Sequence, residues 1–178
     1  MKSIAEMTQV ELAAFVQSHL QEKGVSVILS GGASVAFYSD NQYVSADLDL
    51  ICTLFTKQRV IEEVMQRLGF SQKGRYFTHP DTTFFVEFPP GPLSVGKEPV
   101  QKIEEYELET GILKIISPTD CVKDRLLGYF YWGDRQSLQQ AILVAHMNPI
   151  DLAEIERWAT EEGKLSDFGK IREQLIRP

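Results

Sequence analysis

The sequence predicts an α/β (α+β) chain, in which a small mixed sheet flanked by helices is followed by a C-terminal helical region. Strand-like apolar runs alternate with helical periodicity as far as residue 116, and from Ser117 onward the period is helical throughout. The 43% apolar and 24% charged residues are those of an ordinary folded chain of 178 residues. Residues 1–116 therefore read as an α/β core and 117–178 as helices packed on it.

Thr8-Gln9-Val10-Glu11 has capping-box spacing, with Leu12, Phe15, Val16 and Leu20 following on one face, so a helix is expected over 8–23. Val25 to Leu29 is a β-branched apolar run ending at Ser30-Gly31-Gly32, which suits a buried strand. Ala33 to Tyr38 forms a short helix, and Asp47 to Ile51 alternates polar with apolar as a strand does. Thr56 caps a third helix carrying Val60, Ile61, Val64 and Leu68. A turn at His79-Pro80-Asp81 leads to a strand over 84–88, closed by Pro89-Pro90-Gly91-Pro92. Residues 106–109 and 112–116 read as a hairpin about Thr110-Gly111. In the tail, Ser117-Pro118 starts a helix, 138–145 a second, Asn148-Pro149 a third running to about Glu162, and Ser166 a last one.

A net charge of -7 has the wrong sign for a partner that is extended duplex nucleic acid. No apolar run reaches the roughly 20 residues that cross a bilayer, and the N-terminus does not read as a signal peptide, so the cytoplasm is the expected location. Cys52 and Cys121 lie in apolar stretches and read as reduced core thiols; His19, His79 and His146 have no metal-ligand spacing.

The chemistry concentrates in acids. On a strand, Asp47 and Asp49 project to the same face about 6 to 7 Å apart, an arrangement that a divalent cation would neutralise. Glu87 sits between Val86 and Phe88 on another strand, where an unpartnered acid is costly to bury and is better explained at a pocket edge. The Gly31-Gly32 turn, followed by a helix N-terminus and Ser34, lets backbone amides approach an anion.

These residues resemble a known signature. Leu29-Ser30-Gly31-Gly32-Ala33-Ser34, Ser45-Ala46-Asp47-Leu48-Asp49-Leu50 and Val86-Glu87-Phe88 look like the glycine turn, Asp-x-Asp strand and third acid of the polymerase-β-like nucleotidyltransferase superfamily. Within it the chain is similar to minimal bacterial and archaeal members, including the nucleotidyltransferase toxins of abortive-infection (type IV toxin–antitoxin) systems. The resemblance implies transfer of a nucleoside monophosphate from a nucleoside triphosphate to an acceptor hydroxyl on a protein, an RNA end or a small molecule. It makes Asp47, Asp49 and Glu87 catalytic metal ligands for Mg²⁺, two ions in number, with Mn²⁺ an alternative. Gly31, Gly32, Ser34, Ser45 and Lys123 would bind the nucleotide, and a toxin would have an antitoxin protein as partner. Three features depart from the family pattern: a long loop between Gly32 and Asp47, Tyr43 where many toxin members carry arginine, and Glu rather than Asp as the third acid. For Lys123-Asp124-Arg125 the plainer alternative is a solvated helix face with local ion pairs. The alternative to catalysis is a degenerate fold that binds a nucleotide or a protein.

Overall fold

A computed structural model describes residues 2–56 and 58–176. The first long helix is Gln9–Gln21 (α1), and its capping box is formed: the Thr8 hydroxyl accepts from the Glu11 amide and the Glu11 carboxylate from the Thr8 amide. The strand Val27–Ser30 (β1) is buried along its whole length and runs straight into the helix Gly31–Tyr38 (α2). Asp47–Cys52 (β2) and the helix Gln58–Arg67 (α3) follow; the Thr56 hydroxyl donates to the Leu54 carbonyl, and Lys57 lies outside the described residues. Short strands come next: Ser71–Lys73 (β3), Tyr76–Thr78 (β4), Phe85–Glu87 (β5), Ser94–Val95 (β6) and Glu98–Pro99 (β7). Ile103–Leu108 (β8) and Gly111–Ile116 (β9) form the expected hairpin, turning at Glu109-Thr110 rather than one residue later.

Seven strands make one mixed sheet in the order β3-β4-β5-β2-β1-β9-β8, and β6 and β7 pair separately. β2 lies at its centre, antiparallel to β1 and parallel to β5. α1 packs against β1 and β9, and Gln17 ties it down by donating to the Val27 and Lys114 carbonyls and accepting from the Lys114 amide. The tail is Pro118–Trp132 (α4), Arg135–Met147 (α5), Leu152–Glu161 (α6) and Leu165–Leu175 (α7), with α4 and α5 packed on α2.

Several boundaries differ from those expected, each for a physical reason. α2 begins at Gly31, two residues before the expected Ala33, because Gly31 adopts φ +66 and turns the chain at once out of the strand. Asn148 closes α5 rather than opening α6: its side-chain amide donates to the Val144 and Tyr38 carbonyls, and α6 is capped instead by Asp151. α7 starts at Leu165, so Ser166 lies inside it and is not its cap. The strand expected over 84–88 is only three residues long.

The β2 residues that face away from the acids, Leu48 and Leu50, are fully buried with Val86. Leu48→Ala is expected to cost about 3 kcal/mol, read by urea denaturation, because the cavity it leaves lies at the middle of the sheet. A loss below about 1 kcal/mol would mean that this face is loosely packed.

Candidate functional site

Alternation along β2 leaves Asp47, Asp49 and Ile51 half-buried on one face while Leu48, Leu50 and Cys52 are buried on the other. Asp49 pairs with Ser30 on β1 and with Glu87 on β5. Residues paired in this way project to the same side, so Ser30, Asp49 and Glu87 form a row across three strands, about 4.8 Å apart at the backbone. Asp47 is two residues back along the same face. The side-chain amide of Gln9, on α1, donates to the Ser45 carbonyl at 2.8 Å and the Asp47 carbonyl at 3.2 Å, holding the start of β2 in place. Sequence reasoning missed Gln9, whose neighbours read only as a capped helix start.

The two glycines serve this row directly. A side chain at Gly31 would meet the Asp49 Oδ2 at 2.0 Å, and one at Gly32 would meet the Ser45 Oγ at 2.9 Å and the Tyr43 ring at 3.5 Å. The carboxylate of Asp49 thus rests against bare backbone where α2 begins. Ser30 occupies the N-cap position of α2, yet its side chain makes no capping hydrogen bond to the first-turn amides. Ser34, one turn further in, is fully buried, and its hydroxyl has no hydrogen-bond partner among the described residues.

Burial in the first place, then the negative charges of Glu87 and Asp47, push the Asp49 pKa up to about 6, and Arg125 pulls it back. A carboxylate so placed is frustrated as an anion and is relieved by a cation. Arg75 supplies one at the outer end of the row: its Nε lies 3.3 Å from the Glu87 Oε1, with the guanidinium 4.8 Å above the Tyr76 ring. Among the described residues, no three His, Cys, Asp or Glu side chains stand close enough to hold a metal ion as they are. The donor set nonetheless suits Mg²⁺: hard carboxylate oxygens on one face beside free backbone amides. The Arg75 side chain is 70% exposed, so releasing Glu87 from that ion pair costs little.

Lys123 is not brought to this row. Its ammonium lies 2.7 Å from Glu154 and 3.4 Å from Asp120, and it is only 5% exposed. It lines a cavity of about 1120 Å³ whose walls, including Glu98, Tyr106, Glu154, Arg157 and Trp158, contain none of Asp47, Asp49 or Glu87. Volume alone would favour that cavity as the site. Its charges, however, are largely matched within it, Arg157 to Glu98 and Glu154, Lys123 to Asp120 and Glu154, and Lys102 to Glu104. The frustrated charge is at Asp49. The α4 residues that act on Asp49 are Asp124 and Arg125, which the sequence named only as neighbours of Lys123.

Both cysteines are free and buried, and burial raises both thiols, which disfavours the thiolate at each. The His19 ring bonds the Phe15 carbonyl and the His146 ring the Gln174 carbonyl. Among the described residues, no helix is long and apolar enough to cross a membrane.

No protein-family model and no curated protein matches the sequence. Among solved structures, the chain is similar to the crystal structure of an antigenic nucleotidyltransferase-like protein from Paracoccidioides brasiliensis, at TM-score 0.57 and 15% identity over 96% of this chain and 94% of that one. The chain therefore has a nucleotidyltransferase-like fold. Two structures of the antibiotic-resistance factor ANT(2″)-Ia are more distant. The solution structure gives TM-score 0.49 at 13% identity over 89% of this chain and 97% of that one. The crystal structure in complex with adenylyl-2″-tobramycin gives 0.49 at 14% over 95% and 97%.

Proposed function

We propose that this chain is a Mg²⁺-dependent nucleotidyltransferase, moving the nucleoside monophosphate of a nucleoside triphosphate to an acceptor hydroxyl with release of pyrophosphate. The observation that carries the reading is the row Ser30, Asp49, Glu87 with Asp47 on the same face, set against the bare turn at Gly31. Asp47, Asp49 and Glu87 would hold Mg²⁺ or Mn²⁺. The cation, when bound, supplies neutralisation of the phosphates and a lowered pKa for the acceptor hydroxyl. Gly31 and Gly32 offer their amides to the β and γ phosphates at the N-terminus of α2, Ser45 fixes the backbone of Asp47 beneath them, and Ser34 backs the turn from inside the helix. As an alternative to ligating the metal, Glu87 would accept the proton of the acceptor hydroxyl once Arg75 has moved off it. A protein side chain, an RNA 3′ end and a small molecule all present such a hydroxyl, and a toxin acting on one of them would be held in check by an antitoxin protein.

One observation favours a second reading. Glu87 already has a cation in Arg75, and among the described residues no acidic trio is closed up, as would suit a binding module that has given up its metal. A thermal-shift titration of ATP, CTP, GTP and UTP separates the two. The transferase reading predicts that at least one nucleotide raises the melting temperature with Mg²⁺ and that chelation abolishes the shift. An equal shift in EDTA would support the binding module. Mass spectrometry of a cell extract incubated with the protein and the nucleotide so found then identifies the acceptor by its added monophosphate.

A further inference from the structure

We propose that the cavity of about 1120 Å³ is a binding site of its own, for a small organic cation carrying several amines, of the polyamine class. It takes that ligand whether or not the acid row transfers nucleotides.

The cavity lies between core and tail, walled by β7 and β8, by the start of α4, and by the α5–α6 turn with the first turns of α6. These walls are pinned together. The Trp158 indole Nε1 donates to the Val95 carbonyl at 3.1 Å, the Lys97 amide donates to the Glu162 Oε1 at 2.6 Å, and Arg157 spans from Glu98 to Glu154. A pre-formed concavity at the boundary of two structural units is where small ligands bind.

Its charge fixes the class of ligand. Five carboxylates line it, those of Glu98, Glu104, Asp120, Asp151 and Glu154, against the three cations Lys102, Lys123 and Arg157. Each cation is already paired within the wall, at 2.6 or 2.7 Å, so none is left for an anion and two carboxylates are in excess. The remaining hydrogen-bonding capacity leans the same way. Asp151 spends one carboxylate oxygen on capping α6, and Asn148 spends its side-chain amide on the Val144 and Tyr38 carbonyls. The other Asp151 oxygen and the Asn148 Oδ1 are acceptors without a donor among the described residues. Among those residues no three acids stand close enough to hold a metal ion, so the surplus charge is spread along the wall. Amines spaced on a carbon chain match it better than one small cation does. Pro99, Ile150 and Leu152 offer apolar surface to such a chain, and the Tyr106 ring, 37% exposed, offers a face to an ammonium. One ammonium is already held there: Lys123, only 5% exposed, lies between Glu154 and Asp120. The ligand's amines repeat that contact at Glu104 and Asp151.

The test is isothermal calorimetry of spermidine with the full chain in about 150 mM salt, where diffuse attraction to a net charge of -7 is screened. One spermidine per chain is expected. Glu104→Gln combined with Asp151→Asn should weaken it at least about tenfold, with asparagine still able to cap α6. Glu105→Gln combined with Glu107→Gln removes the same charge from the opposite face of β8 and should stay within about twofold. Asp49→Asn should also stay within about twofold, since the acid row is not the site. Equal weakening by both pairs, loss of binding in Asp49→Asn, or no binding below about 1 mM overturns the proposal. So does tighter binding of citrate, an organic trianion. Should the Glu104 and Asp151 variant fail to fold, hydrogen exchange on the parent decides. Spermidine should slow backbone exchange over 101–106 and 148–155 and leave Asp47–Cys52 unchanged; protection absent from the first two segments overturns the proposal.

Discussion

Asp49→Asn is expected to abolish nucleotidyl transfer and at the same time to make the protein more stable. Loss of a carboxylate that would hold the phosphate-neutralising cation should reduce turnover by about a thousandfold or more, equivalent to several kcal/mol of transition-state stabilisation. The gain in stability follows from the pKa. Asp49 is raised from 3.8 to about 6 in the folded protein, so the folded state holds this proton more tightly than the unfolded chain does. Below about pH 4 the group is protonated in both states and contributes nothing. As the pH rises from about 4 to about 6 the folded protein is progressively destabilised, and above about 6 the full penalty, on the order of 3 kcal/mol, applies. Asparagine removes the charge but keeps the shape. At pH 8 in EDTA the variant should therefore melt about 6 to 12 °C above the parent, and at pH 4 the two should converge. A variant less stable than the parent at pH 8 would show that Asp49 is held by favourable contacts and is not frustrated.

Gly31→Ala is expected to be the most damaging of the small substitutions. The residue has φ +66, where an L side chain is strained by about 1 kcal/mol, and its new methyl would lie 2.0 Å from the Asp49 Oδ2. Strain and displacement together should cost about 2 to 4 kcal/mol by denaturant titration, with nucleotide binding lost because Asp49 can no longer lie against the turn. Gly32→Ala, at ordinary φ and facing the Ser45 hydroxyl at 2.9 Å, should cost less. The two causes separate in a double-mutant cycle. Asp49→Ala should restore most of the stability lost in Gly31→Ala, leaving only the backbone strain. Additive losses would mean that glycine is needed there for its φ alone.

The central row was legible in the sequence because its elements announce themselves locally. The capping box of α1 and the Ser117-Pro118 start of α4 form between residues close in sequence, and the polar–apolar alternation of β2 is written in the sequence itself. What escaped notice depends on partners distant in sequence. Ser71–Lys73 is wholly exposed and carries no apolar pattern; it is a strand because Tyr76–Thr78 pairs with it, and that strand in turn with β5. Its consequence for the site is Arg75, in the turn between the two, which lands on Glu87. The placement of Lys123 away from the carboxylates escaped for a similar reason: which side of α4 it occupies is fixed only by how that helix packs, and it lies between Asp120 and Glu154 in the other cavity. The reason for Gly31 also changed. The sequence suggested a turn open to phosphate, and the structure adds that the same bare backbone makes room for Asp49.

The most direct measurement is a crystal structure grown with Mn²⁺ and a non-hydrolysable nucleoside triphosphate, with anomalous scattering used to place the ion. The expected result is an anomalous peak shared by the carboxylates of Asp47, Asp49 and Glu87, with Arg75 withdrawn from Glu87 and the triphosphate tail at the amides of Gly31 and Gly32. A peak elsewhere, or a bound nucleotide with Glu87 still paired to Arg75 and no ion on the aspartates, would contradict it.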